Sequence, residues 1–184
     1  MPRPIPTFCG DLVTLRPIRI ESDANDYFAF NLDPEMHQWT DNVPFATLDE
    51  ARAELARLQD LRDLSTWMIL ENLSGAIVGR FFLCIEEREG RRIAGEGNRI
   101  ARAYWRCGHN REARRLMFDY AFGSLGADTY ETACWSGNLN SCRSIESYGF
   151  LLFDEREEQF RKRNEKTLMR HYRMVRAQWL STGR

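Results

Sequence analysis

The chain has 184 residues, of which 43% are hydrophobic and 29% charged, and its formal net charge is −1. This length suits one hydrophobic core, and the ordinary composition argues against disorder and fibrous repeats. The near-neutral charge argues against a general nucleic-acid binder, and no apolar run approaches the roughly 20 residues of a membrane span. We therefore expect a cytoplasmic protein with a single domain at 11–180, an N-terminal extension at 1–10 and a C-terminal tail at 181–184.

Cysteine and histidine spacing argues against a metal site and a disulfide framework. The five cysteines form no C-x-x-C pair, and the three histidines are too scattered to supply ligands at metal-binding spacing. We expect no metal, and we interpret the cysteines as structural thiols. The residues concerned are Cys9, Cys84, Cys107, Cys134, Cys142, His37, His109 and His171.

The first third of the chain predicts a strand, short helices and a longer helix. Residues 11–18 alternate apolar and polar side chains, which is typical of a strand. Ser22 or Asp23 is the expected N-cap of a first helix, and Asp33-Pro34 begins a second, short one. Thr47 to Glu50 is a capping box, followed by a helix that we expect to end near Asp63.

The rest of the chain alternates strand patterns with helix patterns. A hairpin is predicted at 67–70 and 76–84, a charged connection at 86–92, and a strand at 93–102 that Gly95 and Gly97 interrupt with a bulge. Such an order of elements predicts an α+β domain with a mixed, mostly antiparallel sheet and helices on both faces. The later predicted elements are a helix at 110–125, strands at 129–135, 151–153 and 167–175, a helix at 138–147 and a solvated loop at 154–166.

The most informative stretch is Ile100 to Ala113, where a strand breaks into a loop that enters a helix. The first N–H groups of a helix are unpaired and its dipole favours negative charge, so a pyrophosphate is a natural ligand there. Gly108 permits close approach of the ligand, and Glu112 is the main counter-charge. From charge alone, the arginines of this stretch are better explained as exposed helix residues with no special role. They are Arg102, Arg106, Arg111, Arg114 and Arg115.

Several motifs resemble those of the GCN5-related N-acetyltransferases. The segment W-R-C-G-H-N-R-E-A at 105–113 is similar to the acetyl-CoA loop of that family, with Gly108 as its central glycine. N-L-N-S-C-R-S-I-E-S-Y-G-F at 138–150 resembles the N-x-x-S helix that ends in Gly-Phe, and L-V-T-L-R-P-I at 12–18 resembles the opening strand. The particular resemblance is to the branch that contains ribosomal-protein N-terminal acetyltransferases. Three departures are Trp105, where the loop motif usually has Gln or Arg, Arg106, where this branch usually has Gly, and Asn110, which replaces the final small residue and is tolerated in this branch.

The resemblance implies an acyltransferase that moves the acetyl group of acetyl-CoA to a primary amine by direct attack in a ternary complex. No metal is implied. Arg106 would either reach the phosphates or obstruct them. The residues that the resemblance places at acetyl-CoA are Ile100, Ala101, Arg102, Arg106, Cys107, Gly108, His109, Asn110, Arg111, Asn138 and Ser141.

Catalytic roles are expected for three side chains and one backbone group. Glu96 is the candidate base, although a surface glutamate in an irregular strand explains it equally well. A backbone N–H near Ile100 or Ala101 would stabilise the oxyanion. Many relatives protonate the thiolate with a tyrosine, but Ile145 stands at that position here, so Ser141 is the candidate acid, with Tyr148 as the fallback; helix capping is the structural explanation for Ser141.

Other functions stay open at this point. The main alternative is a CoA-binding or protein-interaction module that kept the fold and lost turnover, motivated by Arg106 and Ile145. An RNA-binding accessory is a third hypothesis, without any nucleic-acid motif to support it. The acceptor could be a protein N-terminus, an amino acid, a polyamine or a drug amine, chosen by 20–63 and the loop 154–166. A homodimer is a further expectation.

Overall fold

The computed structural model describes residues 5–181 and shows an α+β fold of eight strands and five α-helices within that part of the chain. Residues 182–184 of the predicted tail and 1–4 of the predicted extension therefore lie outside the described residues, whereas Ser181 ends α5. The strands are β1 Phe8–Cys9, β2 Val13–Pro17, β3 Leu64–Glu71, β4 Ile77–Arg88, β5 Arg91–Ile100, β6 Thr129–Trp135, β7 Leu151–Phe160 and β8 Glu165–Val175. The helices are α1 Ile20–Asn31, α2 Leu48–Asp60, α3 His109–Phe118, α4 Leu139–Ser147 and α5 Arg176–Ser181.

The strands form one hydrogen-bonded sheet in the order β1-β2-β3-β4-β5-β6-β8-β7. Neighbours β1/β2, β2/β3, β3/β4, β6/β8 and β7/β8 are antiparallel, whereas β5 and β6 run parallel where Ile93–Gly95 faces Thr129–Glu131. This arrangement confirms the predicted mixed, mostly antiparallel α+β class. Among the described residues, no helix is long and apolar enough to cross a membrane.

Backbone contacts divide the chain into two compact units. The first comprises the described residues up to Gln38, together with Val43–Cys84 and Gly97–Asp119. The second comprises Trp39–Asn42, Ile85–Glu96 and the described residues from Tyr120 onward.

In the first unit, α1 and α2 pack around a core that includes Tyr27, Leu55 and Met68. The two helices differ in how their N-termini are capped. Thr47 caps α2 as predicted, because its Oγ1 accepts the Glu50 N–H at 3.2 Å, and α2 ends at Asp60 instead of near Asp63.

The predicted cap of α1 is wrong. The residue at the N-cap is Arg19, without a side-chain cap, while Ser22 and Asp23 lie inside the helix. The Asp23 carboxylate instead reaches back to accept the Arg19 N–H at 2.7 Å and binds Arg16. Burial explains the difference, because Asp23 is fully enclosed and a buried carboxylate is costly unless a cation such as Arg16 compensates its charge.

Strands β4 and β5 are longer than the sequence predicts. The predicted charged connection 86–92 is wrong, because both strands continue to a tight turn in which Glu89 and Gly90 have φ of 54° and 72°. Two successive residues with positive φ favour a two-residue hairpin turn. At Gly97 the structure shows a reason for glycine other than the predicted bulge, since an added Cβ would lie 2.1 Å from the Phe82 ring.

The largest difference between predicted and observed secondary structure lies in the second unit. The segment 154–166, predicted as a solvated loop, forms most of β7, a turn with Asn164 at φ 50°, and the start of β8. Its charged side chains mask the strand pattern in the sequence, because they pair along and across strands, as in the 2.7 Å contact of Arg170 Nε with Glu155 Oε1.

Helix α3, which begins in the first unit, also differs from its prediction. The helix predicted at 110–125 begins at His109, and α-helical geometry ends at Phe118 before a π-helical turn at Asp119–Ser124.

Candidate active site

The junction between β5 and α3 lies in the first unit and has an unusual backbone. After β5 the chain makes a short 3-10 helix at Arg102–Tyr104, and then Arg106 and Gly108 adopt φ of 62° and 88°. Gly108 is the N-cap of α3, and its carbonyl accepts the Glu112 N–H at 3.0 Å. The N–H groups of the first turn, at His109 to Arg111, precede the first intrahelical donor, so they are available to an anion.

The arginines of this junction differ in burial and in their ion-pair partners. Arg102 contacts the carboxylates of Asp33 at 2.9 Å and Glu35 at 3.3 Å, so its guanidinium is already occupied. Arg114 is buried, and Arg115 pairs with an aspartate one turn on. Arg106 and Arg111 are exposed and, among the described residues, have no carboxylate partner.

Glu112 is not a counter-charge for the arginines, contrary to expectation. Its two carboxylate oxygens accept the backbone N–H groups of Asp11, Leu12 and Val13 at 2.8, 2.7 and 2.8 Å. This carboxylate therefore joins the start of β2 to the first turn of α3. The positive charge of Arg106 and Arg111 is left without compensation from it.

Two further polar atoms at the start of α3 lack partners. His109 Nδ1 and Asn110 Oδ1 are both buried and have no hydrogen-bond partner among the described residues. The His109 ring packs edge-on against Tyr104, with centroids 5.2 Å apart. Buried polar atoms are normally satisfied, so these two are candidates for contact with a bound molecule.

At the end of β5, some backbone N–H and carbonyl groups are already hydrogen-bonded within the protein. The Ala101 N–H donates to the Val78 carbonyl at 2.7 Å, and the Ala101 carbonyl accepts the Tyr104 N–H at 2.8 Å. Backbone groups of neighbouring strand residues face opposite edges, so the Ile100 N–H faces away from β4. The Trp105 indole donates to the Ile100 carbonyl at 2.6 Å. Ala101 is therefore excluded as oxyanion donor, and the Ile100 N–H is retained.

In the second unit, Glu96 accepts a hydrogen bond from the Tyr130 hydroxyl at 3.0 Å. Glu96 is partly buried, which separates it from the surface glutamates of the hairpin turn. Tyr130 was not among the predicted site residues, and it lies on β6 where that strand runs parallel to β5. The tyrosine hydroxyl thus fixes the orientation of the Glu96 carboxylate.

Helix α4, also in the second unit, carries the predicted Asn138 and Ser141. Asn138 is the N-cap, and its Oδ1 accepts the Ser141 N–H at 3.2 Å. The Ser141 hydroxyl is partly exposed and has no hydrogen-bond partner among the described residues. Ile145 and Tyr148 are buried, with Ile145 fully enclosed in the core.

Comparison with known proteins decides the family. A family model described as "Acetyltransferase (GNAT) domain" matches residues 13–151, which is most of the chain. The chain belongs to the GNAT acetyltransferase family. No curated protein matches it in sequence.

Solved structures show the same fold at low identity. A GCN5-related N-acetyltransferase from Brucella melitensis has a TM-score of 0.84 and 22% identity, covering 97% of this chain and 84% of its own. A GNAT acetyltransferase from Bacillus anthracis has a TM-score of 0.80 and 15% identity, with coverage of 93% and 99%. A candidate ribosomal-protein-serine acetyltransferase from Vibrio cholerae has a TM-score of 0.77 and 18% identity, with coverage of 94% and 98%.

The first unit of this GNAT protein suits the phosphates of acetyl-CoA, the co-substrate general to the family. The suitable groups are the open amides of α3, the unpaired Arg106 and Arg111, and the unsatisfied atoms of His109 and Asn110. Cys107 is exposed and directs its thiol to the Trp105 carbonyl at 3.4 Å. Among the described residues, no three His, Cys, Asp or Glu side chains are grouped to hold a metal ion.

Proposed function

We propose that this GNAT protein transfers the acetyl group of acetyl-CoA to a primary amine by direct attack in a ternary complex. The observation that carries the proposal is the β5–α3 junction, where left-handed Gly108 precedes a helix whose first amides are open. Such a helix start binds phosphate through backbone N–H groups and the helix dipole. Membership of the family supports acetyl transfer in general.

The phosphates would be held mainly by the backbone of Gly108 to Arg111 and by the side chains of Arg106 and Arg111. Arg102 would contribute only after leaving Asp33 and Glu35, so it is the weakest member of the proposed set. His109 and Asn110 would satisfy their buried polar atoms on the ligand. Cys107 supplies backbone only.

The chemistry needs one proton removed and one proton supplied. We assign Glu96 to accept the proton from the amine, directly or through water, because Tyr130 holds its carboxylate. The amine nitrogen bonds to the acetyl carbon, and the Ile100 N–H stabilises the oxyanion. The carbon–sulfur bond then breaks, and Ser141 or Tyr148 donates a proton to the thiolate. Asn138 supports Ser141 by capping its helix.

A second candidate is a protein that binds CoA without turnover. The specific observation in its favour is Ile145, which is fully buried at the position where many relatives have the proton-donating tyrosine. The unpaired hydroxyl of Ser141 favours turnover instead. Wild-type protein that binds CoA tightly but releases none from acetyl-CoA with any amine would favour this candidate.

The identity of the amine acceptor and the branch of the family to which the chain belongs are further proposals. The likeness to the ribosomal-protein-serine acetyltransferase candidate is at 18% identity, so it supports the fold alone. We keep a protein N-terminus and small-molecule amines as acceptor classes, and we propose the cytoplasm as the compartment. A homodimer likewise stays a proposal.

The deciding experiment is calorimetric titration of acetyl-CoA into wild-type protein and the Gly108→Trp variant. Gly75→Trp is the matched control, because Gly75 also has positive φ, 70°, but has no neighbour within 4 Å. We expect saturable binding in wild type and Gly75→Trp, and none in Gly108→Trp. An amine screen by release of free CoA thiol follows. Equal binding in all three proteins would refute the assignment of the phosphates to this junction.

A further inference from the structure

Two arginines face each other on neighbouring strands of the first unit. The Ala101 N–H bonds to the Val78 carbonyl, so Arg99 on β5 stands opposite Arg80 on β4. The close approach of Gly79 to the Arg99 carbonyl agrees with this register. Like charges directly opposite each other on one face of a sheet are destabilising. Their placement therefore requires a compensating negative group.

The protein supplies only part of that compensation. Glu54 on α2 places Oε1 3.8 Å from Arg80 Nη1. The same carboxylate is bound by both Nε and Nη2 of Arg57, at 2.7 and 2.8 Å, within its own helix. Arg80 and Glu54 are largely enclosed, with side-chain exposures of 11% and 24%. This one carboxylate is thus shared between Arg57 and Arg80, and its charge also acts on the half-buried Arg99.

The donors around this pair are unsatisfied. Arg99 Nη1 and the Tyr27 hydroxyl are each shielded from solvent and lack a hydrogen-bond partner among the described residues. Burial, together with the charge of Arg80, lowers the pKa of Arg99 to about 10. Arg99 is therefore still protonated at neutral pH, and its positive charge is real. Enclosed donors next to uncompensated positive charge suit an anion with several acceptor oxygens.

Arg99 also lies at a distinct place on the strand. It immediately precedes Ile100, whose N–H is the proposed oxyanion donor, whereas the proposed phosphate groups follow the end of β5. An anion at Arg99 is therefore separate from the pyrophosphate of acetyl-CoA. The sequence neighbour of Arg99, Ile100, is the residue proposed to face the acetyl group that the acceptor attacks.

We propose that Arg99, with Arg80, binds an anionic group of the amine acceptor. This inference rests on the proposed acetyl transfer and narrows its substrate class to amines that carry a carboxylate or a phosphate. Polycationic amines are disfavoured, because a second positive charge would meet the Arg80–Arg99 pair. Arg99 is a specificity residue and takes no part in proton transfer.

The test compares matched acceptors with wild type, Arg99→Gln and Arg99→Lys. The pairs are L-methionine with L-methionine amide and phosphoethanolamine with ethanolamine, and spermidine is added as a polycation. We expect wild type to use an acidic member with kcat/KM about 100-fold above its neutral partner, since truncating one member of a buried charge pair is costly. Arg99→Gln should lose that preference, and Arg99→Lys should retain part of it. Equal use of both members of each pair by wild type would overturn the proposal.

A binding readout separates this inference from the proposed transfer. The same compounds and N-acetyl-L-methionine are tested for their effect on Tm in the presence of CoA. Stabilisation by acidic compounds alone, lost in Arg99→Gln, supports the anion site even if no amine releases CoA thiol. Thiol release with both members of each pair equally, and no selective stabilisation, refutes the anion site and leaves the transfer intact.

A stability readout tests a purely structural role. If Arg99 is retained for binding, then Arg99→Gln removes an uncompensated enclosed charge and should raise the Tm of the ligand-free protein by a few degrees. Arg57→Gln is the control, because Arg57 binds the same Glu54 but is exposed. A lower Tm for Arg99→Gln with unchanged discrimination between acceptors would overturn the proposal.

Discussion

Glu112 fixes the start of strand β2 to the first turn of α3. Its carboxylate accepts three backbone N–H groups, from Asp11, Leu12 and Val13. Gly10 leaves room for it, because an added Cβ would lie 2.5 Å from the Glu112 carboxyl carbon. Hydrogen bonds to a charged acceptor are roughly twice as strong as neutral ones, so this side chain has a large structural role.

Replacement of Glu112 should therefore destabilise the protein. We expect Glu112→Gln to lose about 2 kcal/mol, because the amide nitrogen would face backbone donors, and to lower Tm by about 4–8 °C. Urea unfolding and thermal melts measure both values. Glu87→Gln is the control, since Glu87 is an exposed glutamate of β4. Similar small changes in both variants would contradict the role assigned to Glu112.

Asp23 gives the protein a defined response to acid. It is fully enclosed, and burial alone would raise the pKa of its carboxyl, but hydrogen bonds from the Arg16 side chain and the Arg19 backbone hold that pKa below its ordinary value. Because the folded pKa lies below the unfolded one, the unfolded chain takes up the proton first as pH falls. The stabilisation is therefore complete above the unfolded pKa and is lost as pH falls through the folded pKa.

Asp23→Asn should remove this response. At pH 7 we expect a loss of about 3–5 kcal/mol, because Arg16 keeps its buried charge without a partner. Below about pH 4 the difference from wild type should begin to shrink, because the unfolded wild-type chain then takes up a proton at Asp23, and it should vanish only as the pH falls through the lower folded pKa. Urea unfolding at a series of pH values measures the difference, with exposed Asp60→Asn as control. A difference independent of pH would refute the assignment.

At the scale of elements, β4 and β5 depend on a close contact between a ring and a glycine. Phe82 on β4 lies over Gly97 on β5, where an added Cβ would be 2.1 Å from the ring. A ring in close contact with a fixed backbone cannot move away without disturbing its other neighbours. Gly97 is thus fixed by packing, which a single sequence does not distinguish from a bulge.

Gly97→Ala should destabilise the protein by about 1–3 kcal/mol through overpacking. The double variant Gly97→Ala/Phe82→Leu should recover most of that loss, because the smaller side chain leaves space for the new methyl group. Thermal unfolding of the two single variants and the double variant completes the cycle. Additive losses, with no recovery, would show that Phe82 is not the group that restricts position 97.

Local signals predict some elements well and fail for others. Helices α2 and α4 have N-cap residues in the sequence, and the apolar residues of β6 follow a strand pattern. All three elements lie close to their predicted bounds. Strand β7 has exposed side chains along nearly all of its length, so neither face shows an apolar alternation. Its pairing with β8 is a tertiary contact, as in the opposition of Glu155 and Arg170. Period-2 reasoning fails where the strand has no buried face.

At the scale of the whole molecule, the candidate site was predicted only in part. The loop motif located Gly108 and its helix, because glycine at a left-handed N-cap is a local requirement. Tyr130 and Arg99 were missed, since their significance comes from partners distant in sequence, Glu96 and Arg80. Engagement of Arg102 with Asp33 is likewise invisible to motif matching. A motif identifies the residue types at a site, and packing decides which of them are free to act.

Arg106 allows a final prediction in which global stability and ligand binding change in opposite directions. Its φ of 62° is costly for a residue with a side chain, so Arg106→Gly should raise the Tm of the ligand-free protein by about 2–4 °C, equivalent to about 1 kcal/mol. Acetyl-CoA at 100 times its Kd should stabilise wild type by about 2.7 kcal/mol, and the shift should be smaller in Arg106→Gly because one phosphate contact is lost. Thermal melts with and without acetyl-CoA measure both effects. A larger ligand-induced shift in Arg106→Gly would mean that Arg106 obstructs the phosphates instead of binding them.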